Sequence, residues 1–147
     1  MKCPPMVDKR VAIREIHHTA DLGVKVTTRD LTSLFSAAGQ ALYAFIADPS
    51  KIEICEERNV SVRADGMEAL LHSWLCELLA HFNLTSFIGK RCEIAEITKE
   101  RVVGILKGEK LDLNRHRFHT EIKGVTYHGF KVWRESGLWH ARVIFDV

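Results

Sequence analysis

Acidic and imidazole side chains collect at two places far apart in the chain. The stretch IREIHHTADLGVKV, Ile13 to Val26, sets His17, His18 and Asp21 where one strand-like run stops and another starts. At the other extreme, VIFDV carries Asp146 followed by Val147. Side chains of a strand alternate between faces, so if Phe145 points inward with Val143 and Trp139, Asp146 points outward with His140 and Arg142. The Asp146 side chain and the chain-end carboxylate of Val147 are then neighbouring anions. Such neighbours repel unless protonation or a cation relieves them, and a hard divalent ion with oxygen ligands would do so. A strand end solvated by water holds the same two groups, and that is the plainer reading of this segment by itself. Asp21 has a plain reading too, because Asp-x-Gly is turn chemistry in which the side chain bonds the backbone two residues on. His17 and His18 are adjacent strand positions facing opposite sides, so both cannot easily serve one ion. A histidine beside an aspartate more often orients the site than ligates metal.

A third group, LNRHRFHTEIKG, brings Arg115, His116, Arg117, His119 and Lys123 close together. It suits phosphate or an acidic partner surface, and equally a solvated loop with charge balance from Glu121. Aromatic residues are not interleaved with these cations as a stacking platform for single strands requires. Walker A, G-x-G-x-x-G, H-E-x-x-H and G-x-S-x-G templates are all missing from the sequence. Cys3, Cys55, Cys76 and Cys92 include no C-x-x-C pair; they read as free thiols in a reducing cytoplasm rather than a zinc knuckle, and Cys76 as a packing residue. The net charge of +2 is too small for bulk attraction to nucleic acid, so any RNA contact needs a local patch. No apolar run approaches the ~20 residues that span a bilayer. MKCPPMVDKR has no apolar core of the secretory kind, so a cytoplasmic chain with no membrane association is expected.

A single α+β domain must position these groups. The 147 residues are 46% hydrophobic and 27% charged, an ordinary balance for one domain with a sizeable core. Residues 1–10 are expected to form a flexible N-terminal segment and residues 11–147 the domain. Leu22, Val24 and Val26 alternate with polar positions as in a half-buried strand. Asp30 then precedes a helix whose apolar face is Leu31, Leu34, Phe35, Ala38, Leu42, Phe45 and Ile46; Asp30 is its natural N-cap and Asp48-Pro49 its stop. Ile52, Ile54, Val60 and Val62 share one parity and predict a long strand, with Cys55 inside it and a bend near Glu57. Asp65 and Glu68 have capping-box spacing ahead of a second helix with the stripe Met67, Leu70, Leu71, Trp74, Leu75, Leu78, Leu79 and Phe82. CEIAEIT and RVVGILKG are strand candidates with Gly104 and Gly108 as weak points, and EIKGVTYHGFKVW is less regular. The last run, from Trp139 to Asp146, follows a short hairpin loop at Glu135-Ser136-Gly137. The simplest assembly packs two amphipathic helices on one large mixed or antiparallel β-sheet.

In this order the segments resemble the archease family. HHTADLGVKV with LTSLFSAAGQALYAFIAD is similar to its opening, LLHSWLCELLAHF to its second helix, and EIKGVTYHGFKVW with ARVIFDV to its last hairpin, so the likeness runs from about His17 to Val147. The resemblance implies a small α+β protein that is not itself an enzyme. It implies a helper of a GTP-dependent, RtcB-type RNA ligase in tRNA splicing, promoting ligase guanylylation and multiple turnover, with RNA met through the ligase. It also implies a divalent ion, calcium or magnesium for all-oxygen ligation, held by Asp21, Asp146 and the chain-end carboxylate of Val147, with His18 and Lys123 in support. This chain has Gly124 where the family often has alanine after that lysine, a departure that touches packing more than charge. Two other functions are open to the same residues. One is a stand-alone metal-dependent phosphoester hydrolase using Asp21, Asp146 and His18. The other is a chaperone-like adaptor with an exposed apolar patch to which Trp133 or Trp139 contributes.

Overall fold

The computed structural model describes residues 11–17 and 21–147. The expected flexible segment 1–10 and His18 lie outside the described residues. Seven strands and two helices follow in the order β1 (Ala12–His17), β2 (Asp21–Thr28), α1 (Leu31–Ile46), β3 (Glu56–Arg63), α2 (Met67–Thr85), β4 (Phe87–Ile97), β5 (Arg101–Lys110), β6 (Gly124–Glu135) and β7 (Leu138–Asp146). The strands divide between two antiparallel sheets, β1-β2-β7-β6 and β3-β5-β4, rather than forming one. No helix among the described residues is long and apolar enough to cross a membrane.

The division explains why α1 is buried nearly all round. Within residues 34–46 only Ser36 and Gln40 escape full burial, because the helix touches β4 of one sheet, β2 and β7 of the other, and α2. Small residues make this close approach feasible: a Cβ on Gly39 would lie 2.7 Å from Leu78 and 3.1 Å from the Cys92 sulfur. Asp30 caps α1 as expected, its carboxylate accepting from the Ser33 N–H at 2.7 Å. The stripe on α2 is buried from Leu70 to Leu79. Two polar tips lock the helices together. The Trp74 indole N–H donates to the Phe35 carbonyl at 3.1 Å, and the Tyr43 hydroxyl to that of Leu78 at 2.7 Å. Buried polar groups require such partners.

Three local expectations are corrected. The strand predicted from Ile52 begins only at Glu56. Before it, Pro49–Lys51 form a turn of 3-10 helix, Ile52 is buried while Ile54 is exposed, and the Glu53 N–H turns to the Glu109 carboxylate. Cys55 is therefore an exposed residue ahead of the strand, its N–H donating to the Gly108 carbonyl. At α2 there is no capping box: Gly66, at φ 99°, is the N-cap without a side-chain bond, and Glu68 instead accepts from the Val132 N–H of β6 at 2.8 Å. Gly104 and Gly108 are sites of close approach rather than weak points. A Cβ on Gly104 would sit 2.5 Å from the Trp74 ring and 2.8 Å from the Glu93 carbonyl.

The turn before β7 is the expected hairpin. Ser136 and Gly137 have φ of 57° and 75°, the positive pair that matches the twist of the flanking strands. The irregularity foreseen around VTYHGF is a break in the β6–β7 register between Thr126 and Lys131.

Trp74 is fully buried, and its indole N–H is tied to Phe35, so its ring cannot retreat from position 104. Gly104→Ala is expected to lower stability by about 1–3 kcal/mol, read as a lower urea midpoint with an unchanged slope. An unchanged midpoint would contradict this packing.

Candidate functional site

The pairing of β2 with β7 is set by their apolar halves. Leu22, Val24 and Val26 stand opposite Phe145, Val143 and Ala141, and all six are buried. A slip of one residue would turn these side chains to water, so the register is strongly specified. It continues to the end of both strands, where Asp21 lies directly opposite Asp146. Both side chains fall on the face away from the core, where opposed Cβ atoms are about 4.5–5.5 Å apart. Asp21 is half-buried and Asp146 exposed.

The strand on the other side of β7 leaves this corner open. Gly124 faces Asp146, and a Cβ there would meet nothing within 4 Å. An alanine would fit equally well, so the departure at Gly124 does not alter the packing. The Lys123 N–H donates to the Asp146 carbonyl at 2.7 Å and holds the strand end, while its side chain is exposed. Val147 is exposed beside Asp146.

Two facing carboxylates cost stability as a like-charge cross-strand pair. Among the described residues neither has an ion-pair partner. Oxygen-only donors of full charge suit a hard divalent cation. Among the described residues, no group of three or more His, Cys, Asp or Glu side chains is placed to hold a metal ion. Among the described residues, the carboxylate donors that the register brings to this corner are the two aspartates.

In the basic cluster, which suits an anion-binding surface or a solvated loop equally by sequence, two members are engaged within the loop. Arg115 and His116 both meet the carboxylate of buried Glu109, His116 through Nε2 at 3.2 Å. The Asp112 N–H donates to His116 Nδ1 at 2.8 Å, so Nε2 carries the proton and donates to Glu109. The Arg115 guanidinium bonded to it holds the Glu109 carboxyl down to about 2, against an ordinary 4.5. Arg117 remains exposed. Glu109 was not singled out from the sequence, although it precedes Arg115 by six residues and is the nearest acid on the strand leading to the loop.

Other expectations are met by packing. The Cys76 thiol lies 3.6 Å from His72 Nδ1, and His72 Nε2 donates to the Val125 carbonyl. Burial pushes the Cys76 thiol up, which keeps it protonated and suits a packing role. Trp139 is half-buried against the core. Trp133 is half-buried and lies parallel to the His140 ring at 5.1 Å.

Comparison with known proteins gives a consistent picture. Residues 14–147 match the model of the archease protein family (MTH1598/TM1083). The chain is similar to protein archease of Methanopyrus kandleri, 37% identical over 136 residues that cover 90% of this chain and 97% of that one. Protein archease of Pyrococcus abyssi is 33% identical over 135 residues, covering 88% and 94%. The solution structure of Methanobacterium thermoautotrophicum protein 1598 superposes with a TM-score of 0.79 at 31% identity, covering 92% of this chain and 98% of that one. The crystal structure of a Thermotoga maritima archease, described as a possible chaperone, shares the fold with a TM-score of 0.65 at 18% identity, covering 91% and 96%.

The Glu109 ion pair has a pH signature. A carboxylate depressed from 4.5 to about 2 contributes stability that is complete above pH 4.5 and disappears as pH falls through about 2. The stability difference between wild type and Glu109→Gln is therefore expected to be largest above pH 4.5 and to shrink across that window. Parallel curves of urea midpoint against pH for the two proteins would contradict the pairing.

Proposed function

The chain belongs to the archease family, and from that premise we propose that it is a divalent-metal-binding activator of a GTP-dependent, RtcB-type RNA ligase. In this role it promotes ligase guanylylation and repeated turnover during tRNA splicing or RNA repair in the cytoplasm, without catalysing a reaction itself. The observation that carries the reading is the direct opposition of Asp21 and Asp146. Those two carboxylates would hold the ion, with the chain-end carboxylate of Val147 and water completing a calcium or magnesium shell. His18 and Lys123 are proposed to support it. When bound, the ion supplies neutralising charge and a Lewis-acidic centre at an exposed corner.

The chain's own part is to present that corner. β2 and β7 hold the two aspartates in register, the Lys123 N–H fixes the backbone of Asp146, and the flank at Gly124 is open space for an approaching protein surface. Metal-free, the pair is a local cost of about 0.2–1 kcal/mol. Partner-free hydrolysis of a phosphoester is less well supported, because no nucleophile with an oriented base stands beside the aspartates among the described residues. A chaperone-like adaptor draws on the exposed Leu84, Leu113 and Tyr127. It predicts activity that survives both chelator and loss of the aspartates.

The test follows guanylylation of the cognate ligase over time, with and without chelator. Asp21→Ala and Asp146→Ala are expected to remain folded by circular dichroism and to lose stimulation. Calcium at a hundred times its dissociation constant is expected to stabilise the wild type by about 2.7 kcal/mol and neither variant. In chelator, Asp146→Asn should be slightly more stable than wild type. Full stimulation by both folded alanine variants would end this reading.

A further inference from the structure

The same outward face carries a second feature, four residues along the strands from the aspartates. Register places Arg14 opposite Lys25, Lys25 opposite Arg142 and Arg142 opposite Lys131, one cation from each strand of the four-stranded sheet. With strands about 4.8 Å apart, the row spans roughly 14 Å. Like charges directly opposite one another destabilise a sheet, and here three such pairs adjoin. Among the described residues none of the four cations has a carboxylate partner. All but half-buried Lys25 are exposed.

The next row contains Thr27, His140 and Trp133. His140 is buried and held at both nitrogens, with Thr27 Oγ1 at 3.0 Å from Nδ1 and the Glu135 carbonyl at 3.3 Å from Nε2. The half-buried Trp133 indole lies parallel to that fixed ring, 14° between planes. Lys25 and Lys131 bring their ammonium groups to 5.6 and 5.2 Å from its centroid. The Arg142 Nε–H donates to the Gly129 carbonyl at 2.9 Å, which orients the guanidinium.

We propose that this face binds single-stranded RNA, with the cation row on the phosphate backbone and Trp133 stacking on a base. An acidic protein surface would use the row but has no need of a pre-oriented aromatic ring with two ammonium groups over it. A duplex would use the charges but hide its base faces. Four-stranded sheets that present aromatic rings among cations are a recurrent platform for single-stranded RNA. The choice of RNA over DNA rests on the proposed ligase role; the face itself does not. Asp21 and Asp146 lie about 13 Å along the strands, so a bound strand can run toward the acidic corner without crossing it.

Fluorescence anisotropy with a labelled oligouridylate tests this on the isolated protein in chelator. Binding is expected, with a slope of log affinity against log salt near −3, as four neutralised phosphates give. Lys131→Glu with Arg142→Glu should weaken binding at least tenfold and flatten the slope. Trp133→Ala should weaken it about tenfold with the slope unchanged, and Trp133→Phe should recover part of the loss. Circular dichroism verifies folding of each variant. No binding at 50 mM salt, indifference to the double charge reversal, or equal binding of polyglutamate with indifference to Trp133→Ala would overturn the proposal. Tighter binding of the matched deoxyoligonucleotide would overturn its assignment to RNA. None of these results touches ligase stimulation through Asp21 and Asp146, which is read in the separate guanylylation assay.

Discussion

The antiparallel register of β2 against β7 is a hydrophobic constraint with an electrostatic consequence. Six buried apolar side chains on the inner face decide it. The outer face has no choice but to follow, since alternate residues of a strand share a side. Asp21 meets Asp146, Lys25 meets Arg142 and Thr27 meets His140 because Leu22, Val24 and Val26 must meet Phe145, Val143 and Ala141. Burying a side chain of this kind is worth about 1.5–3 kcal/mol, whereas a like-charge pair costs less than about 1. The core therefore imposes unfavourable charge pairings on the surface, and a surface so held is ready for a ligand of opposite sign.

The rest of the fold serves to make that register rigid. Helix α1 packs against β2 and β7 from the inside while touching β4 of the other sheet, so it joins the two sheets into one core. Its small residues allow α2 to approach, and the hydrogen bonds of Trp74 and Tyr43 fix the helices in both orientation and depth. The loop after β5 is held separately, by the buried Glu109 carboxylate bound to Arg115 and His116. Two of the basic residues most conspicuous in the sequence, Arg115 and His116, thus close a loop while Arg117 stays exposed, and the cations of the outer sheet face are scattered singly over four strands.

Much of this was legible in the sequence wherever a local rule acts alone. The cap at Asp30, the stripe of α2, the alternation along β7 and the turn at Ser136-Gly137 depend on neighbours close in sequence. Periodicity reports which side of an element is buried but not against what. That is why the expected single sheet divides into two, why α1 is buried beyond its apolar face, and why Ile54 is exposed despite sharing parity with Ile52. Glu68 has the spacing of a capping box, yet β6 offers its carboxylate an unpaired Val132 N–H and takes it. For the site, residue types alone left Asp21 a turn residue and Asp146 a solvated strand end; only the family resemblance suggested that they belong together, and the register brings them opposite each other. The cation row escaped notice because its four members are isolated in sequence and adjacent only through pairing.

The outer face of the four-stranded sheet is consequently polarised: acids at the end where β2 begins and β7 finishes, cations four residues further along, an aromatic ring beyond. The central claim is that the acidic end is a cation site. Anomalous diffraction from crystals soaked in manganese tests it most directly. The account predicts a peak shared by the carboxylates of Asp21 and Asp146. Well-ordered aspartates with no peak between them, or with the ion bound elsewhere on the molecule, would contradict it.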